Sequence, residues 1–188
     1  MGKVLYGIQN VYVAKITEDA QGNITYGTPF ALKGATGFSP EPQGDTVKFY
    51  ADNIVYFRRE ANNGYEGELT LAVTPDDFMK QIMGRQEDSN GAIVENANDK
   101  QARFALMFEA QGDPKYRRYV YWDCTATRPS REHSTIEDSI EVGTETMTIT
   151  IAPRSTDMAI GCYMEKTDDN VSAYNAWFTS VYESDVSL

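Results

Sequence analysis

Short stretches in which apolar and polar residues alternate, broken every few residues by Gly, Asp, Asn or Pro, run through most of this chain. That spacing points to an all-β sandwich or barrel. Val11 and Val13 alternate with Tyr12 and Ala14, and Thr17 to Asn23 turns the chain back into Ile24-Thr25-Tyr26, a hairpin. Leu69, Leu71 and Val73 alternate with Glu68, Thr70 and Ala72, and Phe104, Leu106 and Phe108 with Arg103, Ala105 and Met107. Val120, Trp122 and Cys124 alternate with Tyr119, Tyr121 and Asp123, and Met147, Ile149 and Ile151 with Thr146, Thr148 and Thr150. Each set predicts a half-buried strand. The chain has 188 residues, enough for one domain (1–188) that needs neither a disulfide nor a metal staple. The expected fold class is mainly β with minor α.

Two helices are expected. Thr74 suits an N-cap, Pro75 the first helical position, Asp76 and Asp77 the positive helix end, and Gly84 an αL stop; Phe78 and Ile82 then share a face. Near the C-terminus Tyr174, Trp177, Phe178, Val181 and Tyr182 fall at helical spacing, so residues 170–188 read as an arm or helix whose apolar stripe needs cover. That cover is either the chain's own sheet or a neighbour.

Ser39 to Gly64 is longer than a structureless loop should be. Thr46–Ala51 and Ile54–Arg59 read as two extended arms around Asp52-Asn53, with Phe49, Tyr50, Tyr56 and Phe57 crowded between them. At ~3.3 Å per residue an excursion of ~13 residues each way reaches ~40 Å, against a domain radius of ~16 Å. Such a hairpin either folds flat on its own sandwich or projects to another subunit. Exposed aromatics on an isolated hairpin are an aggregation hazard unless a partner covers them.

Charge narrows the function. The net charge is −11, which disfavours a grip on nucleic acid. Residues 132–188 carry 2 basic and 11 acidic side chains, net −9, whereas residues 1–131 carry 15 and 17, net −2. A subunit polarised in this way suits head-to-tail stacking. Cys124 and Cys162 form no CxxC pair and are expected as reduced thiols. The first residues carry neither the apolar stretch nor the cleavage site of a secretory signal, so synthesis in a cytoplasm is expected, with no membrane anchoring by this chain.

Enzyme chemistry finds little footing. The single histidine, His133, sits in Arg131-Glu132-His133-Ser134 with no HExxH, and no Walker or dinucleotide glycine pattern is present. The acid pairs Asp76-Asp77, Glu87-Asp88, Glu137-Asp138 and Asp168-Asp169 are adjacent in sequence, which does not supply convergence across a cleft. Asp19, Gln21 and Asn23 echo a calcium loop but lack its glycine and closing glutamate, so they read as a turn. No catalytic residue, metal ligand or cofactor is assigned. The aromatics leave one alternative, a carbohydrate-binding β-sandwich module acting in host adsorption.

Several stretches together resemble a known family. They are Gly44-Asp45-Thr46 with Phe49-Tyr50-Ala51-Asp52-Asn53, Ala61-Asn62-Asn63-Gly64-Tyr65 leading to Thr74-Pro75-Asp76-Asp77-Phe78, Val94-Glu95-Asn96-Ala97-Asn98, and Cys124-Thr125-Ala126-Thr127-Arg128-Pro129-Ser130 with Thr144-Glu145-Thr146. The chain resembles the phi13-type major tail proteins of long, non-contractile-tailed phages. The resemblance implies a β-sandwich or barrel subunit of the virion tail, made in a bacterial host, that forms stacked hexameric rings around a lumen for DNA. It also implies tape-measure, terminator and tail-tip or baseplate proteins as partners. By the same resemblance the loop from Asp45 through Phe49, Tyr50, Asp52, Asn53, Tyr56, Phe57, Asn62 and Asn63 to Tyr65 contacts the adjacent ring, as does the terminal arm with Tyr174, Trp177, Phe178 and Tyr182. Glu132, Glu137, Asp138, Glu141 and Glu145 are candidates for an acidic lumen wall along which DNA slides.

Overall fold

The computed structural model describes residues 7–131 and 143–186. Its strands in chain order are β1 Ile8–Glu18, β2 Ile24–Tyr26, β3 Phe30–Ala31, β4 Ala35–Pro42, β5 Thr46–Ala51, β6 Ile54–Glu60, β7 Tyr65–Leu71, β8 Gln86–Glu87, β9 Ile93–Val94, β10 Phe104–Ala110, β11 Arg118–Ala126, β12 Glu145–Ile151 and β13 Gly161–Met164. Two short helices, α1 Asp76–Gln81 and α2 Val171–Ala176, complete the description. The fold is mainly β with minor α, as the alternation predicts.

The described strands do not form a closed barrel. One nine-stranded antiparallel sheet runs β2-β1-β10-β11-β12-β7-β4, with β3 on β1 and β13 on β11. It curls so that strands from both ends of the path wall one core: Val11 and Val13 of β1, Phe104 and Leu106 of β10, Leu69 and Leu71 of β7, and Met147, Ile149 and Ile151 of β12. Phe78, Met79 and Ile82 of the α1 region fill the concave side, and Phe78 meets Phe104 edge-on at 5.7 Å. Phe78 and Ile82 do share a buried face, and Gly84 takes φ +79°, with the Arg85 N–H donating back to the Met79 carbonyl.

The start of α1 differs from expectation. Pro75, extended at φ −63°, ψ 145°, occupies the cap position, and no side chain caps the helix. The backbone N–H of Thr74 donates to Glu145 (2.9 Å), drawing Thr74 toward β12 and away from the helix, and its buried hydroxyl finds no partner. β7 accordingly stops at Leu71, and Val73, expected inside, is 66% exposed.

Two strands break the simple alternation. β10 is buried on both faces rather than one, because a second apolar cluster of Ala14, Ala105, Met107, Val120, Trp122 and Trp177 covers its outer side. In β11 the pairs Leu106↔Tyr121 and Phe104↔Cys124 set three residue steps against two, a β-bulge. Val120 and Trp122 therefore face the outer cluster, while Cys124, expected beside them, joins the main core. The other edge of β11 is shared: β13 takes Arg118 to Tyr121 and β12 takes Cys124 to Ala126, so the sheet forks there.

Among the described residues β4 is an edge strand paired only with β7, and it carries a register break at Thr36 and prolines at 40 and 42. Because β4 runs to Pro42, the long excursion between the strands is residues 43–64, not 39–64. At ~3.3 Å per residue, about 11 residues each way reach roughly 36 Å.

Candidate assembly interface

β5 and β6 form a two-stranded sheet of their own, apart from the main one. Asp52 (φ 52°) and Asn53 (φ 64°) both take the left-handed conformation of a tight hairpin turn, which these residue types tolerate better than most. The sequence places both arms correctly to within one residue: β6 extends through Glu60. At the base, Gln43 N–H donates to the Gly64 carbonyl (2.9 Å), Asn63 N–H to Gln43 (2.8 Å) and Ala61 N–H to Asp45 (3.0 Å). Asn62 Oδ1 accepts from Gly64 N–H. Gly64 has φ +97°, and a Cβ there would stand 1.9 Å from the Ile151 carbonyl oxygen, so this position requires glycine.

Every residue of both strands is exposed except half-buried Ala51. Cross-strand partners share a face, so the register sorts the side chains. Val47, Phe49, Ala51, Ile54, Phe57 and Arg59 form a largely apolar face; Thr46, Lys48, Tyr50, Val55, Arg58 and Glu60 form the other. Phe49 opposes Phe57 and Tyr50 opposes Val55, which leaves Tyr56 as the extra residue of a bulge, at 75% the most exposed large apolar residue of the hairpin. The ten residues named from sequence thus divide. Asp45, Asn62 and Asn63 build the base, Asp52 and Asn53 the tip, and Phe49, Tyr50, Tyr56 and Phe57 the projecting surface. Tyr65 lies outside the projection, half-buried against Tyr121 at 5.7 Å.

The C-terminal arm lies on the chain's own sheet. α2 ends at Ala176, so Phe178, Val181 and Tyr182 lie beyond the helix that their spacing predicts. Trp177 is fully buried and its indole N–H donates to the Tyr119 carbonyl (3.2 Å). The Tyr174 hydroxyl donates to Tyr116 (2.6 Å), and Trp122 donates to the Tyr182 carbonyl (2.7 Å). Arg118 binds the arm from below. Its guanidinium lies 4.0 Å from the Tyr174 ring centre and 4.7 Å from that of Phe178, donates to the Tyr174 carbonyl and pairs with Glu109. Ala14 and Ala105, paired across β1 and β10, keep the sheet shallow where Trp177 sits.

Of the acidic residues, Glu145 pairs with Arg131 (2.8 Å) while holding Thr74 N–H; Glu132, Glu137, Asp138 and Glu141 lie outside the described residues, as does His133. Sequence reasoning missed the set around Arg131: Arg85 pairs with Glu95 (2.6 Å), and Arg128 approaches the same carboxylate at 3.5 Å. No spacing signals this set, because it joins the segment after α1 to the end of β11. Among the described residues no group of His, Cys, Asp and Glu could hold a metal, and no helix is long and apolar enough to cross a membrane.

Three comparisons bear on identity. A family model described as phage tail tube protein matches residues 2–181. No curated protein sequence matches. Among solved structures the chain is similar to the tube-terminating cap of the anti-feeding prophage (12% identity, TM-score 0.46, covering 88% of this chain and 96% of that one). It is also similar to a chain of an extracellular contractile injection system sheath–tube complex (8%, 0.44, 82% and 88%) and to one of the anti-feeding prophage baseplate (8%, 0.43, 88% and 97%). The match to the family model spans nearly the whole chain, and the chain belongs to the phage tail tube protein family, a structural and not an enzymatic one.

Proposed function

We propose that this tail tube subunit assembles into hexameric rings that stack into a tube, with the β5–β6 hairpin reaching from one ring to the next. The observation that carries the reading is the hairpin itself: its large apolar side chains are solvated in the single chain, and burial on a second copy removes them from water at about 25 cal/mol per Å². The lumen conducts DNA during ejection without binding it specifically, since the net charge of −11 opposes a grip on phosphate. Tape-measure, terminator and tail-tip or baseplate proteins meet the tube at its axis and ends, and assembly takes place in the cytoplasm of a bacterial host.

Negative-stain electron microscopy of the purified protein at moderate salt tests this. Hollow tubes or six-fold rings are expected. Compact monomers at every concentration, even with a tail-tip seed, would remove the reading and favour a sugar-binding module.

A further inference from the structure

The receiving surface for the hairpin can be located from charge and polarity. β7 runs from Tyr65, beside the hairpin base, to Leu71, and β12 pairs Ile151 with Tyr65 and Glu145 with Leu71. Glu145, its partner Arg131 and the Ser130↔Thr146 bridge therefore lie at the end of the sheet away from the hairpin. There Arg85, Arg128 and Arg131 line an open hollow of about 520 Å³ together with Glu95. Among the described residues three guanidiniums face two carboxylates, Glu95 and Glu145, so positive charge is in excess there. Arg128 is the least committed, with its side chain 74% exposed and its contact to Glu95 stretched to 3.5 Å.

The hairpin presents the complementary charge. Asp52 stands at the tip with no ion-pair partner among the described residues, and Ile54 and Phe49 follow on the apolar face. We propose that the Asp52 carboxylate of one copy enters the Arg85–Arg128–Arg131 hollow of a second copy. A guanidinium fork matches a carboxylate in two bonds, which fixes register as well as affinity. Donor and receiver lie at opposite ends of one chain, so the contact is head-to-tail and leaves both ends of a pair open to further copies. The proposal rests on the reading of the hairpin as the self-assembly element.

A charge swap tests it. Asp52→Arg, Arg128→Asp, the chain carrying both, and a chain with residues 46–60 replaced by a short Gly-Ser linker are compared by sedimentation and electron microscopy, with circular dichroism confirming the fold. Each single reversal is expected to raise the concentration needed for assembly about tenfold, and the double reversal to restore it. If the linker chain fails to assemble but the single reversals assemble normally, or the double reversal shows no recovery, the hairpin docks elsewhere and the hollow is not its receiver. If the linker chain itself assembles, the hairpin reading falls and this proposal falls with it.

Discussion

Asp113, in the turn between β10 and β11, is buried and accepts from the Arg117 side chain and from the Lys115 backbone N–H (3.0 Å). The bond from Arg117 holds its carboxyl below the ordinary range, and Arg154 does the same for Asp157. A carboxyl depressed in the folded state contributes stability that is present above its unfolded pKa and is lost as pH falls through the folded value. The melting temperature should therefore drop as pH is taken from about 5 toward 2, and Asp113→Asn should lie below wild type at neutral pH with a flatter acid limb. Asp123 works in the opposite sense, since burial raises it despite its bond to Arg103 (2.8 Å). Scanning calorimetry across that range reads both. The thiols supply a second check. Burial pushes Cys162 up to about 11 and Cys124 higher still, so neither should react with a thiol reagent at pH 8 until denaturant is added.

At the scale of the element, hairpin and arm make contrasting predictions. Trp177→Ala empties a site enclosed by Met107, Val120 and Trp122 and should cost about 3–5 kcal/mol in urea unfolding. Phe49→Ser or Tyr56→Ser removes side chains that touch solvent. Either should leave monomer stability within about 0.5 kcal/mol while reducing the yield of tubes. The hairpin was legible in sequence because two extended arms flank a residue pair that accepts positive φ, a signal carried by neighbours along the chain. The arm was legible as an apolar stripe but not in its partner or length. Trp177 shares its cluster with the Ala14–Ala105 pair, two small residues far apart in sequence that no local period marks. The same limit explains β11. Alternation puts Cys124 with Trp122, and only pairing to β10 reveals the extra residue that turns it inward. Thr74 is not the cap, because Pro75 takes that position, and its N–H is held by Glu145 on another strand, a contact that no local period marks.

For the whole molecule, the alternation predicts the class and leaves sandwich and barrel open; among the described residues nine strands make one curled, forked sheet that does not close. Strand order and curl are set by pairings across the chain, such as β7 with both β4 and β12, which periodicity cannot rank. Charge acts at this scale as well. Copies carrying −11 repel one another at low ionic strength, whereas the proposed contact at Asp52 weakens at high ionic strength. Assembly followed by light scattering should therefore pass through a maximum as salt is raised from about 0.01 to 1 M. The outer side of β4 bears on a different fate. A proline is accommodated in a paired strand where its missing N–H would have pointed away from the partner, so at 40 and 42 it is the free side that lacks donors. The irregularity at Thr36 spoils the register further along. An extended peptide laid against this margin meets gaps where cross-β stacking demands an unbroken ladder. The margin of the sheet is thereby guarded against amyloid.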